Sequence, residues 1–96
     1  MRANFTRVYV TITHFMATER IKQLERFFAE EPGDPFNRYA LALEYRHVDP
    51  EKARSFFEAL LQEHPDYLPA YYHAAQFFQI SGDRQRAIRL FEQGIS

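Results

Sequence analysis

Two stretches of this chain repeat one another. Ala42 recurs as Ala75 and Tyr45 as the aromatic Phe78, both at an offset of 33 residues; Ala53 recurs as Ala87 and Phe57 as Phe91, both at 34. A fixed period of this length constrains a fold strongly, because each unit is one supersecondary motif that buries its apolar face only against a neighbour. The offset changes by one in the turn, where His47-Val48-Asp49-Pro50 is one residue shorter than Ile80-Ser81-Gly82-Asp83-Arg84. A turn in the middle of a hairpin tolerates such a deletion best. One unit is therefore a helix, a short turn and a second helix.

Punctuation along the chain predicts five helices. Thr18 reads as an N-cap, followed by Ile21, Leu24, Phe27 and Phe28 at helical steps, and Pro32-Gly33 ends that helix. Asp34-Pro35 opens the next with a capping carboxylate and a proline at the first helical position. In residues 35–47, Arg38, Leu41, Ala42 and Tyr45 share one face while Phe36, Tyr39 and Leu43 share another. Asp49-Pro50 repeats the device for a third helix, whose apolar stripe is Ala53, Phe56, Phe57, Leu60 and Leu61, with Pro65 after it. Pro69 starts a fourth, with Tyr71, Ala74, Ala75 and Phe78 on one face. Gly82 suits the left-handed position after a helix, and Asp83 caps a fifth that carries Ala87, Ile88, Leu90, Phe91 and Ile95.

Residues 1–15 read differently. Phe5, Val8, Tyr9, Val10, Thr11, Ile12 and Thr13 are strand formers, but no second segment is available to pair with them, and a lone strand is not stable. The expectation is a weakly ordered, flexible tail at 1–15, the alternative being that Met16 is the natural start, followed by a helical domain at 16–96. That domain divides into an N-terminal helix at 18–31, a first repeat at 34–65 and a second at 67–96.

The residues at the repeated places resemble the tetratricopeptide repeat family over roughly residues 18–96. In that family the first helix of a hairpin carries a bulky residue, a Leu–small pair and an aromatic. Arg38, Leu41-Ala42 and Tyr45 fill those places once, and Tyr71, Ala74-Ala75 and Phe78 fill them again. The second helix carries Ala, an aromatic, a small residue and Pro. Ala53, Phe57, Leu60 and Pro65 match first; Ala87, Phe91 and Gly94 match second. Leu24, Phe27 and Pro32 resemble a preceding half-unit. Arg38 stands where a large aromatic is usual, and Leu60 where Ala is usual. The resemblance implies an all-α fold of antiparallel helical hairpins, a fragment of an α-solenoid.

It also implies a function. The first helices of successive hairpins in that family line a concave groove that binds extended peptide. Carried onto this chain, the groove presents Phe36, Tyr39, Leu43 and Arg46 from one unit and Tyr72, Gln76 and Gln79 from the next. Packing of Tyr39 and Leu43 against Tyr72 and the neighbouring helix is the alternative for the same residues. The Lys and Asn with which some members hold a C-terminal carboxylate are replaced by Tyr39, Leu43, Tyr72 and Gln76. Any ligand would then be held by aromatic stacking and amide hydrogen bonds, with Arg46 as the charge partner.

Glu19, Arg20, Lys22, Gln23, Glu25 and Arg26 give the first helix a solvated side, whereas the last helix has no polar cap. Two hairpins and a half-unit are fewer than the three repeats usually needed for stability. Self-association as a homodimer, a partner over the last helix, or origin in a longer protein each answers this. The expected function is a protein-protein interaction module, an adaptor or assembly scaffold; the alternative is a self-associating structural unit or a fragment of a larger repeat protein.

Composition removes other classes. The 12 basic and 13 acidic residues give a net charge of -1, without the basic excess of a nucleic-acid binder. The outer charges Glu51, Lys52, Arg54, Glu58, Arg84, Arg86, Arg89 and Glu92 read as solvated surface. No Cys is present, which removes thiolate nucleophiles and thiolate metal ligands. Glu44 and His47 share a helix face, but a metal site needs three or four converging ligands. Gly33 and Gly82 are isolated, so no phosphate-cradling loop is expected, and no nucleophile motif stands at recognisable spacing. No apolar run approaches the roughly 20 residues that span a bilayer. The expectations are no catalytic residues, no metal or cofactor, no nucleic-acid or membrane partner, and a cytoplasmic location.

Overall fold

A computed structural model describes residues 2–95, with side chains from Arg7 to Gly94 apart from Tyr9. It consists of α1 (Arg2–Glu30), α2 (Pro35–Tyr45), α3 (Pro50–Glu63), α4 (Leu68–Ile80) and α5 (Arg84–Ile95). There is no strand among the described residues, and the class is all-α.

The main departure from the sequence reading lies at the start. The sequence places the first helix at 18–31 with Thr18 as its cap, but α1 runs unbroken from Arg2. Thr18 sits inside it, its Oγ1 donating to the His14 carbonyl at 3.0 Å. Strand propensity is a preference for a pleated, half-buried surface, which a chain without a partner strand does not supply. Between Arg2 and Glu30 there is also neither Pro nor Gly to stop a helix. The segment adds little packing: every described side chain from Arg7 to Met16 is exposed. Burial begins at Ile21 and continues through the half-buried Leu24 and Phe28. Phe27, expected in the same stripe, is 45% exposed.

The three aspartate caps form as read. Asp34 Oδ1 accepts from the Phe36 N–H at 3.0 Å, Asp49 Oδ1 from Lys52 at 3.3 Å and Asp83 Oδ1 from Arg86 at 3.2 Å. Each satisfies a donor that the first turn of a helix leaves without a partner. Gly82 takes φ 94°, the left-handed conformation that ends α4 without a Cβ penalty. α2 stops at Tyr45, two residues earlier than its periodicity suggests, with Arg46 as its C-cap. An unpredicted tie joins the first two helices. The buried Asn37 donates through Nδ2 to the carbonyls of Phe27 at 3.3 Å and Glu31 at 3.2 Å, occupying acceptors at the end of α1.

Each helix packs on the next in chain order. Leu41, Ala42, Ala53, Phe57, Leu60, Ala70, Ala74, Ala75 and Phe78 have no exposed surface, so small residues let the helices approach and the rings fill the space between them. A Cβ at Gly94 would lie 3.1 Å from Tyr71 Cβ, which shows how closely α4 and α5 approach. Of the four successive interfaces, the one between α3 and α4 is the smallest. The helices stack in series, and the radius of gyration is 15.2 Å, against about 12–13 Å for a compact chain of this length, the unpacked start of α1 adding to it.

Arg38 takes the place expected for a bulky core residue. Its guanidinium lies 5.3 Å from the Phe28 ring centroid. Its Nη1 is 2.5 Å from Glu63 Oε2, a charge contact out of line for a hydrogen bond. Two arginines read as solvated surface also cover the core. Arg54 and Arg86 both lie over Phe78, at 5.4 Å and 4.2 Å, and Arg86 pairs with Glu58 at 3.1 Å. Their long stems cover the apolar surface while the charged heads stay near water.

Candidate functional site

The surface shared by α2 and α4 holds most of the residues predicted to bind a partner. Tyr39, one turn into α2, projects toward α4, where its hydroxyl lies 2.8 Å from His73 Nδ1. The same nitrogen is 3.2 Å from the Pro69 carbonyl. The Tyr39 ring meets His73 and Tyr67 edge-on, with centroids 5.4 Å and 5.6 Å away. Burial raises the Tyr39 pKa above its ordinary value and the neighbouring Tyr67 adds to this, while the Arg46 cation opposes it. The hydroxyl therefore stays protonated and able to donate.

Around this pair the predicted residues divide. Phe36 is 56% exposed, its ring 6.5 Å from Tyr39. Leu43 packs on the core and is consumed there. Arg46 and Gln76 both line a cleft of about 480 Å³, with His47, Pro50, Phe77, Ile80 and Ser81. Arg46 Nε donates to the Leu43 carbonyl at 3.1 Å, which anchors its guanidinium. Tyr72 is 55% exposed and accepts from Gln76 Nε2 at 3.2 Å, its ring 6.0 Å from Phe91. Gln79 is separate. It lines a hollow of about 180 Å³ between α4 and α5 with Arg84, Ala87, Ile88 and Phe91.

Arg46 and Gln76 thus line one cleft, Tyr72 is tied to it through Gln76, Tyr39 lies on the same α2–α4 surface against His73 and Tyr67, and Gln79 faces the last helix. Sequence reasoning passed over His73, Tyr67, Phe77 and Ile80. The signal for His73 was available: it stands 34 residues after Tyr39, one step from the Tyr72 that the 33-residue register selects.

Two other surfaces bear on chemistry. Glu44, weighed as a metal ligand with His47, pairs with Arg20 at 3.2 Å beside a hollow that α1 lines with Val10, Thr13, His14 and Ala17. On the far side, a cleft of about 420 Å³ is lined by Glu25, Phe28, Tyr45, Lys52 and Phe56, among others. There Tyr45 stacks on Phe56 at 5.7 Å and donates to Glu25. Its pKa is pushed up to about 12, by burial first, then by the bond to Glu25 and the charges of Glu25 and Asp49. Both features fasten helices together.

No family model matches the chain, and comparison with curated proteins gives no match. Among the described residues, no helix is long and apolar enough to cross a membrane.

Proposed function

We propose that this protein is a protein-protein interaction module, an adaptor or assembly scaffold of tetratricopeptide type, rather than an enzyme. A peptide segment or partner helix occupies the groove between α2 and α4. The observation that carries this reading is the α2–α4 surface: Phe36 and Tyr72 are exposed along it, and toward its C-terminal end Arg46 and Gln76 line a cleft with the exposed Ile80. Aromatic anchors beside a few placed polar groups are what peptide recognition uses. The serial packing of α2 on α3 and of α4 on α5, each pair joined by a short turn, supports the family reading. A cytoplasmic location is part of the same proposal.

Selection of a displayed random peptide library on the immobilised protein tests it. Enriched peptides that lose binding to Tyr39→Ala and Tyr72→Ala support the groove. A selection that enriches nothing overturns it.

A second reading, self-association, is favoured by the exposed apolar side chains Val8, Ile12, Phe15 and Met16 on α1 and Ile88 on α5. Light scattering over a concentration series separates the two, since a stable dimer would consume these surfaces and a monomer would leave them free.

A further inference from the structure

Among the described residues four arginines are partly buried: Arg38, Arg46, Arg54 and Arg86. Three are answered within the chain. Arg38 has Glu63 and the Phe28 ring, Arg86 has Glu58 and the Phe78 ring, and Arg54 lies over the rings of Phe77 and Phe78. Arg46 has no carboxylate and no ring partner among the described residues. Its one side-chain bond runs from Nε to the Leu43 carbonyl, which fixes the stem and directs the rest of the guanidinium to the cleft it lines with Gln76, Phe77 and Ile80. A fixed, partly desolvated guanidinium is a strong donor to a carboxylate, because its fork is already oriented. Its charge reaches into the groove, where it opposes the rise of the Tyr39 pKa.

Beside it stands Ile80, 87% exposed on the last turn of α4, with Phe77 forming the floor. An isoleucine so placed gains most from covering by another apolar side chain. Charge and surface therefore ask for two groups at once.

We propose that this end of the groove reads an acidic residue next to a bulky apolar one: Arg46 takes the Asp or Glu carboxylate of the bound segment, and Phe77 and Ile80 take the apolar side chain. This rests on the peptide-binding reading above and specifies its ligand. A side-chain carboxylate fits better than a chain terminus. The Lys and Asn with which some members of the tetratricopeptide family hold a chain terminus are replaced here by Tyr39, Leu43, Tyr72 and Gln76. The groove selects by charge, rejecting segments that bring Lys or Arg to this position.

The test is selection of random dodecapeptides, displayed with their C-terminal ends fused to the carrier, on wild type, Arg46→Gln and Arg46→Glu. Wild type enriches Asp or Glu adjacent to Leu, Ile or Phe. Arg46→Gln weakens the selected peptides about tenfold or more, the usual cost of a charged hydrogen bond, and Arg46→Glu enriches Lys or Arg instead. Binding of the wild-type peptides also falls as NaCl is raised, a readout that needs no variant to fold. Enriched peptides that depend on Tyr39 but show no acidic bias and no salt dependence overturn this inference and leave the binding module standing. A selection that enriches nothing overturns both.

Discussion

The hydroxyl of Tyr39 lies 2.8 Å from Nδ1 of His73 and so joins α2 to α4, two helices separated in the chain by α3. Tyr39→Phe removes this bond and keeps the ring against Tyr67 and His73. The expected loss of stability is about 0.5–1.5 kcal/mol, read by urea denaturation. Tyr39→Ala removes the ring contacts as well and should cost more.

Asn37 holds the end of α1 to the start of α2 through two carbonyls. Asn37→Ala leaves those acceptors without their donor inside a nearly closed contact. A loss of about 1–3 kcal/mol is expected, with amide exchange accelerated in the last turn of α1.

The close approach of helices depends on residues without bulk. Ala42 and Ala75 have no exposed surface, and Gly94 leaves only 3.1 Å between a new Cβ and Tyr71. Ala42→Leu, Ala75→Leu and Gly94→Val should each overpack and cost about 1–3 kcal/mol, measured by thermal or chemical unfolding. Tyr71 cannot swing aside freely, because its hydroxyl donates to the Pro65 carbonyl at 2.6 Å.

Tyr45 makes stability depend on alkaline pH. Its pKa is raised from 10.0 to about 12 in the folded state. Above the unfolded value the folded chain keeps a proton that the unfolded chain releases, so the contribution is complete below pH 10 and is lost as pH rises toward 12. Unfolding midpoints should fall across that window in wild type, and the fall should be smaller in Tyr45→Phe.

Removal of residues 1–15 should lower the total helical signal, since that segment lies largely within α1, yet leave the melting temperature of the remainder nearly unchanged. No described side chain from Arg7 to Met16 is buried. Circular dichroism reads both quantities, and a large drop in melting temperature would show that the segment supports the stack.

Helix boundaries were legible where the chain carries punctuation that acts locally. Asp34, Asp49 and Asp83 cap through their own first turns, and Gly82 needs only its missing Cβ, so no distant residue decides them. Thr18 misled because a threonine caps only when the helix has a reason to begin there, and nothing upstream stops it. The core alanines were legible from the repeat. The groove was legible as a pair of helix faces, but its division was not. Whether Gln79 turns toward α2 or α5 depends on the rotation of α4 about its axis, which tertiary packing sets. The Arg46 cleft was equally hidden, since Ile80 reads as part of a turn until α4 is seen to carry it beside α2.

The thin contact between α3 and α4 gives the protein a line of weakness. Stability in serially packed helices is close to a sum of units and the interfaces between them, so the smallest interface is where the molecule opens first without unfolding. The rings of Tyr39 and His73 and the cleft from Arg46 to Ile80 both straddle that line. A segment bound there would act as a clamp, holding the α1–α3 part and the α4–α5 part together. Occupancy would then be visible far from the groove, as slower exchange of amides in helices the ligand never touches.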